Sequence, residues 1–441
     1  MLRGGRRRSA VIASAIVIGG LSWCGWRWWD VRRYRDTMAA VEDAMQTGRY
    51  ATAARDLSAL LARRPRSDSD RAGYLLGLCE KARGRLGEAD SAWAAVPPDS
   101  PFGGRAVAAR MDLLVEQGRL AQAERLIGRI ADDLGPGGSA LRMLLIPILV
   151  QEGRTDEASG LIEARWRSLE ARGEGATEQA VNLARLHMEL RWNVPPVEAV
   201  REYLDQVGRL APDDERIWLG RANLAIRAGS FDEAKRWIDR CLERHPDDVP
   251  TWRARLDWAM RTKQPDEVHA ALEHLPADSL TPADAHRISA WMASARGDVE
   301  RERQELAALI AEAPEDLAAL DQLEALKLKL KQVSARGSGE GIQQRKAEIE
   351  RDRARYRELH RRNQPARDAE EMARLAERLG HRFEATVFLN AAAAEDPDRE
   401  DLRAKLLELE RSERSRVGAG PGLPERLPMP DQGNAPSSDA S

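Results

Sequence analysis

The chain is poor in residues that staple a fold or specialise it for chemistry. Its 441 residues include three cysteines, Cys24, Cys79 and Cys241, too few and too far apart for a disulfide framework. Neither sign of charge is in excess, with 69 Lys and Arg against 72 Asp and Glu and a net charge of −3. That balance gives no support to nucleic-acid binding, and the preponderance of arginine over lysine is explained as well by coding-sequence composition as by any ligand. The histidines, His187, His245, His269, His274, His286, His360 and His381, fall in no H-E-x-x-H or comparable metal spacing. His269 and His274 are five apart and do not share a helix face. The glycine-rich stretch 337–341 follows no strand and lacks the Gly-Lys-Ser/Thr ending of a phosphate loop, and there is no G-x-S-x-G nucleophile elbow. The sequence therefore points to no catalytic residue, no cofactor and no metal, and these side chains read as surface or packing groups.

Aromatics are scarce at 5% and charged residues plentiful at 32%. With Ala, Leu, Arg and Glu dominant, this is the make-up of long helices with wet outer faces. A glycine, an aromatic or leucine two residues on and an alanine three further recur as Gly48/Tyr50/Ala53, Gly84/Leu86/Ala89, Gly118/Leu120/Ala123, Gly153/Thr155/Ala158 (threonine at the middle place) and Gly229/Phe231/Ala234. The first four glycines are 36, 34 and 35 residues apart, and a proline follows the alanine by twelve at Pro65, Pro101 and Pro246. In the clearest unit, Glu215 to Pro246, Trp218, Leu219, Leu224, Ala225 and Ile226 form one apolar stripe. Gly229 supplies the positive φ that commonly ends a helix, and Ser230 or Asp232 is placed to cap the next. Trp237, Ile238, Cys241 and Leu242 continue the apolar face up to Pro246. A helix pair cannot bury such a face alone, so neighbours must stack into a solenoid. Cys79 and Cys241 fall on these stripes as small hydrophobes.

In period and residue types the units resemble the tetratricopeptide repeat. The resemblance implies an all-α, right-handed solenoid of stacked helix-turn-helix repeats over 37–315, with Ala53, Ala89, Ala123, Ala158 and Ala234 at the helix crossings. Units are recognisable over 37–133, 139–175 (after the turn DLGPGGS at 133–139), 215–246, 249–282 and 283–314; 178–212 lacks the central glycine and carries Pro195 and Pro196 between its helices. Residues 316–415 read as extended helices, a flexible break over 334–341 and a last repeat-like unit with Gly380, Phe383, Ala385 and Pro397. The polar residues 416–441 have too little to bury and read as disordered. The runs RKAEIERDRARYREL and AERLGHRFEA in this block resemble the helical segment of bacterial tetratricopeptide proteins fused to FG-GAP/ASPIC-UnbV modules, which implies an extracytoplasmic bacterial setting.

There is one long apolar run. Residues 9–26 (SAVIASAIVIGGLSWCGW) are uncharged and lie between the basic tail 1–8 and a segment rich in Trp and Arg. Eighteen residues just suffice to cross a bilayer as a helix, and the flanks resemble an interfacial belt. A cleaved secretory signal shares the basic start and apolar stretch. No small-x-small site precedes the bulky stretch 23–29, however, and Trp23 before Cys24 departs from a lipoprotein box. The expectation is a single-pass anchor with the arginine-loaded tail in the cytoplasm and the repeats outside it.

With no chemistry in view, the sequence points to a binding surface. The resemblance implies that the first helix of each pair lines a concave groove holding a protein or peptide. Residues there that the core does not claim include Tyr74 and Asp112, and the partner-binding candidates are Arg216, Asn223, Arg227, Arg253, Asp257, Arg287 and Trp291. Relatives that clamp a terminal carboxylate use paired Lys and Asn on successive first helices, whereas this chain offers only Asn223 and Arg253. The reading is a membrane-anchored scaffold that is not an enzyme. The alternatives are an accessory subunit of an envelope enzyme or secretion complex, and an enzyme built from scattered groove carboxylates.

Overall fold

The computed structural model describes residues 32–62, 69–276, 279–331 and 339–419. The basic tail, the apolar run 9–26 and residues 420–441 lie outside them. The described residues are helical without a strand, and no described helix is long and apolar enough to cross a membrane. The chain divides into two compact units, Met1–Leu144 and Leu145–Ser441. The stretch 37–315, expected as one solenoid, spans this boundary.

The first unit holds α1 (32–46), α2 (Tyr50–Leu61), α3 (Ser69–Ala82), α4 (Leu86–Ala94), α5 (Gly103–Glu116), α6 (Leu120–Asp133) and the short α7 (Ser139–Arg142). Met38, Val41 and Ala44 of α1 pack with Ala53, Ala54 and Leu57 of α2 and with Ala72 and Cys79 of α3. Trp93 fills the next layer with Val96, Ala106 and Leu113, and its indole N–H donates to the Tyr74 carbonyl at 3.1 Å.

The second unit begins with α8 (Ile146–Gln151), α9 (Thr155–Glu170), α10 (Glu178–Trp192) and α11 (Val197–Leu210). Three regular pairs follow: α12 (Glu215–Ala228) with α13 (Phe231–Arg244), α14 (Val249–Arg261) with α15 (Pro265–His274), and α16 (Pro282–Arg296) with α17 (Val299–Glu312). The remaining described helices are α18 (Leu317–Lys331), α19 (Gly339–Arg362), α20 (Pro365–Leu379), α21 (Arg382–Glu395) and α22 (Glu400–Ala419). Two expected boundaries move. The end of the glycine-rich break, 339–341, is the first turn of α19, and the closing helix continues to Ala419, taking the start of the expected disordered tail.

The repeat glycines act as the sequence requires: Gly229 ends α12 at φ 75° and Gly380 ends α20 at φ 85°. Where the glycine is missing after α14 and α19, Lys263 (φ 58°) and Asn363 (φ 52°) adopt the same left-handed conformation. All five repeat alanines, Ala53, Ala89, Ala123, Ala158 and Ala234, are 0% exposed, so a larger side chain at any of them would have to displace packed neighbours. The capping expectation for α13 is corrected. Ser230 precedes the helix but makes no side-chain cap bond, and Asp232 lies inside the first turn. The Ser230 N–H is instead turned back to the Ala225 carbonyl at 2.8 Å, with a ψ of 64° that is not the extended geometry of a capping residue. Asp214 and Asp248 do cap α12 and α14.

The second unit also closes on itself, which nothing in the repeat period indicates. Helices α10 and α21 pack together around a buried carboxylate. Glu384, 0% exposed, accepts two bonds from Arg191 at 2.8 and 2.9 Å, one from the Tyr356 hydroxyl at 2.9 Å, and has His187 Nδ1 at 2.7 Å. Burial alone would raise its pKa. The His187 bond and the Arg191 charge outweigh it and hold the carboxyl below its ordinary range. Beside it, Glu315 meets His381 Nε2 at 3.3 Å and Arg353 Nε at 3.1 Å. Burial opposes the charged form there too, but the bond and charge of His381, then Arg191 and Arg353, bring Glu315 down to about 2.

Candidate groove site

Inside the second unit the turn between α8 and α9 faces helices α12, α14 and α16 across a cavity of about 300 Å³. The turn is rigid for identifiable reasons. Gly153 adopts φ 76°, and a Cβ on it would stand 3.1 Å from the Asn223 Cβ, so glycine serves both the backbone conformation and the close approach of α12. Asn223 then donates to the Glu152 carbonyl at 2.8 Å. The buried Arg154 guanidinium bonds Glu152 at 2.7 Å and Glu157 at 2.7 and 2.9 Å, fixing both sides of the turn.

The opposite wall is built from the first helices. Thr281 and Asp284 form a reciprocal capping box at the start of α16. The Asp284 carboxylate also accepts from Arg287 at 2.8 Å and stands 3.6 Å from Arg253. Arg287 reaches on to Asp316 at 3.3 Å. Asp257 pairs with Arg261 one turn along α14 at 2.9 Å. Into this space projects Asp156, from the first turn of α9. It is open to water yet crowded by protein, and no donor among the described residues bonds its carboxylate. Burial first, and the neighbouring Asp284 second, push its pKa up against the lowering effect of Arg253 and Arg287.

The structure brings four of the seven sequence candidates together, since Asn223, Arg253, Asp257 and Arg287 all line the cavity. The other three stand elsewhere. Arg216 bonds Asp248 at 2.9 Å, linking α12 to the start of α14. Arg227 bonds the Pro195 carbonyl before α11. Trp291 packs against the core and donates its indole N–H to the Met260 carbonyl at 3.1 Å. Asp156 and Asp284 were missed. Asp284 carried a signal, as a Thr-Pro-Ala-Asp capping pattern at a first helix. Asp156 carried none, because it starts a second helix and reaches the cavity only through the way α8 and α9 fold back.

Comparison with family models identifies the repeats in two stretches. Tetratricopeptide repeat models match residues 38–101 and 215–258. Over these two stretches the chain carries tetratricopeptide repeats. The second match covers α12 and α13 and most of α14, the repeats that supply one wall of the cavity, and the first covers repeats of the other unit. A solved tetratricopeptide repeat protein from Parabacteroides merdae is 15% identical, over 67% of this chain and 98% of that one, with a TM-score of 0.26. The yeast Tom70 structure is 12% identical, over 88% of this chain and 97% of its own, with a TM-score of 0.24. No curated protein matches the sequence.

Proposed function

We propose that the protein is a scaffold, anchored to a membrane by residues 9–26, that holds a segment of a protein partner in the cavity between the α8–α9 turn and helices α12, α14 and α16. The tetratricopeptide fold is typical of protein-interaction scaffolds. The observation that carries the reading is the convergence of Asn223, Arg253, Asp257 and Arg287, from three successive first helices, on one cavity. At about 300 Å³ the space is at the small end of ligand cavities, fit for one or two side chains of an extended segment rather than a folded domain. The uncharged run and the arginine-rich tail before it favour the repeats lying on the far side of the membrane from that tail.

Two experiments test this. Deleting residues 1–31 leaves α1 whole and moves the protein from the membrane fraction to the supernatant; a full-length protein that is already soluble contradicts the anchor, and a reporter at Ser441 active only in the cytoplasm contradicts the orientation. Capture from detergent-solubilised membranes is lost on Arg253→Ala/Arg287→Ala if the partner sits in the cavity. A chain cut after Pro314 is a poor comparison, because it removes α21 and uncovers the face of α10 that α21 buries.

A further inference from the structure

We propose that His360 is an acid-sensitive latch on the closure of the second unit: with a neutral ring it lets α10 seat on α19 and α21, and on protonation it loosens that seat.

His360 stands in the last turn of α19, and α10 reaches it in three ways. Glu189 accepts from its Nε2 at 3.2 Å, Arg185 donates to its backbone carbonyl at 3.1 Å, and Trp192 meets its ring edge-to-face at 5.3 Å. Arg185, Glu189 and Trp192 are spaced i, i+4 and i+7, so one face of α10 carries all three. This contact adjoins the Glu384 cluster and joins residues that the repeat period keeps far apart.

The other ring nitrogen sets the sign. Nδ1 is closed to water and has no hydrogen-bond partner among the described residues. A neutral imidazole has one N–H and one lone pair. Spending the N–H at Nε2 on Glu189 leaves only a lone pair at Nδ1. Protonation puts a second N–H there, with no group to accept it, and a positive charge beside Arg185. Donors are already in surplus at this junction, since Arg185 Nη1 and Arg191 Nε are also buried without an acceptor. Glu384 is committed to Arg191, His187 and the Tyr356 hydroxyl.

Burial first and the Arg185 charge second push the His360 pKa down, against the attraction of Glu189 and Glu384. That attraction is the weaker side: Glu189 is 47% exposed and screened by water, and the Glu384 charge is answered by Arg191. A histidine whose folded value lies below the ordinary 6.5 contributes stability that is complete above pH 6.5 and is lost as pH falls through the folded value. Glu384 and Glu315, both held below the ordinary carboxylate value of 4.5, stay charged over that range, so loosening in weak acid is separate from their own titration.

The test is hydrogen exchange resolved by segment on the full-length protein in detergent, at about pH 7.5 and about pH 5, with each rate corrected for the intrinsic effect of pH. Protection of α10 and of the last turns of α19 is expected to fall at least about threefold at the lower pH. The first unit contains no histidine and should keep its protection. His360→Gln and His360→Asn, which cannot gain the charge, are expected to remove the difference. Glu189→Gln still accepts from Nε2 but no longer attracts a charged ring, and is expected to move the loosening to higher pH. Unchanged or increased protection of α10 in the wild type at pH 5 overturns the proposal. A difference that survives in both His360 variants overturns it by assigning the effect to another group. If the His360 variants fail to close at either pH, Glu189→Gln decides, and loosening that stays in place or moves to lower pH overturns the latch.

Discussion

Removing the Glu384 carboxylate is predicted to loosen the second unit at its closure. In the folded protein Glu384 answers Arg191, His187 and Tyr356 together, none of which has a comparable partner within its own helix. Glu384→Ala leaves the Arg191 guanidinium, a quarter exposed, together with an imidazole and a phenol facing a void where the carboxylate was closed to water. Breaking a buried ion pair by removing one member costs about 3–5 kcal/mol, most of it the penalty of the stranded charge. Glu384→Gln keeps the volume and one carbonyl acceptor and should cost less, roughly half of that. A triple replacement of Glu384, Arg191 and His187 by leucine or methionine should recover much of the loss, because the stranded groups are then gone. Urea unfolding with hydrogen exchange resolved by segment gives the measurement, since the two units need not unfold together. The loss should appear in α10, α19 and α21 and leave α2 to α6 of the first unit unchanged. A cost below about 1 kcal/mol for Glu384→Ala, or exchange that rises equally in both units, would refute the claim that this carboxylate holds the closure.

Other consequences can be checked alongside it. Because Glu315 is depressed from 4.5 to about 2, its contribution is complete above about pH 4.5 and is lost as pH falls toward 2; with the depressed Glu384, it should make the second unit the more acid-sensitive, by up to about 3 kcal/mol for Glu315, as read by circular dichroism of the wild type against Glu315→Gln. Gly380→Ala should destabilise more than Gly229→Ala: both sites have positive φ, worth about 1–2 kcal/mol for a non-glycine residue, but a Cβ at 380 would also meet the Pro314 Cδ at 2.3 Å while the space at 229 is open. Equal melting temperatures for the two variants would count against the contact of Gly380 with Pro314. Ala234→Leu should cost about 1–3 kcal/mol by overpacking a fully buried crossing, and an unchanged melting temperature would contradict that packing.

What the sequence made legible and what it did not divide along physical lines. Gly229, Ala234, Trp218 and Pro246 act through their own or the adjacent helix, so their period and chemistry are enough to place them. The same locality explains why Asn223, Arg253, Asp257 and Arg287 could be named: successive first helices repeat one orientation. Trp291 shows the limit of that logic, since its residue type suits a binding hot spot but its ring finds the core and the Met260 carbonyl. Glu384, His187 and Arg191 were illegible for a different reason. Their meeting joins residues about two hundred positions apart, and it depends on the summed small rotations of all the repeats between them. Asp156 depends instead on how α8 and α9 fold back against α12, which no local pattern announces.

The measurement that bears most directly on the account is partner capture from detergent-solubilised membranes by the wild type and by Arg253→Ala/Arg287→Ala, with the melting temperature of each recorded. The account predicts that a specific partner retained by the wild type is lost by the double variant while the melting temperature changes little, because both arginines sit on the cavity wall rather than in the core. Undiminished capture by a double variant that remains folded would contradict it and place the binding surface elsewhere on the chain.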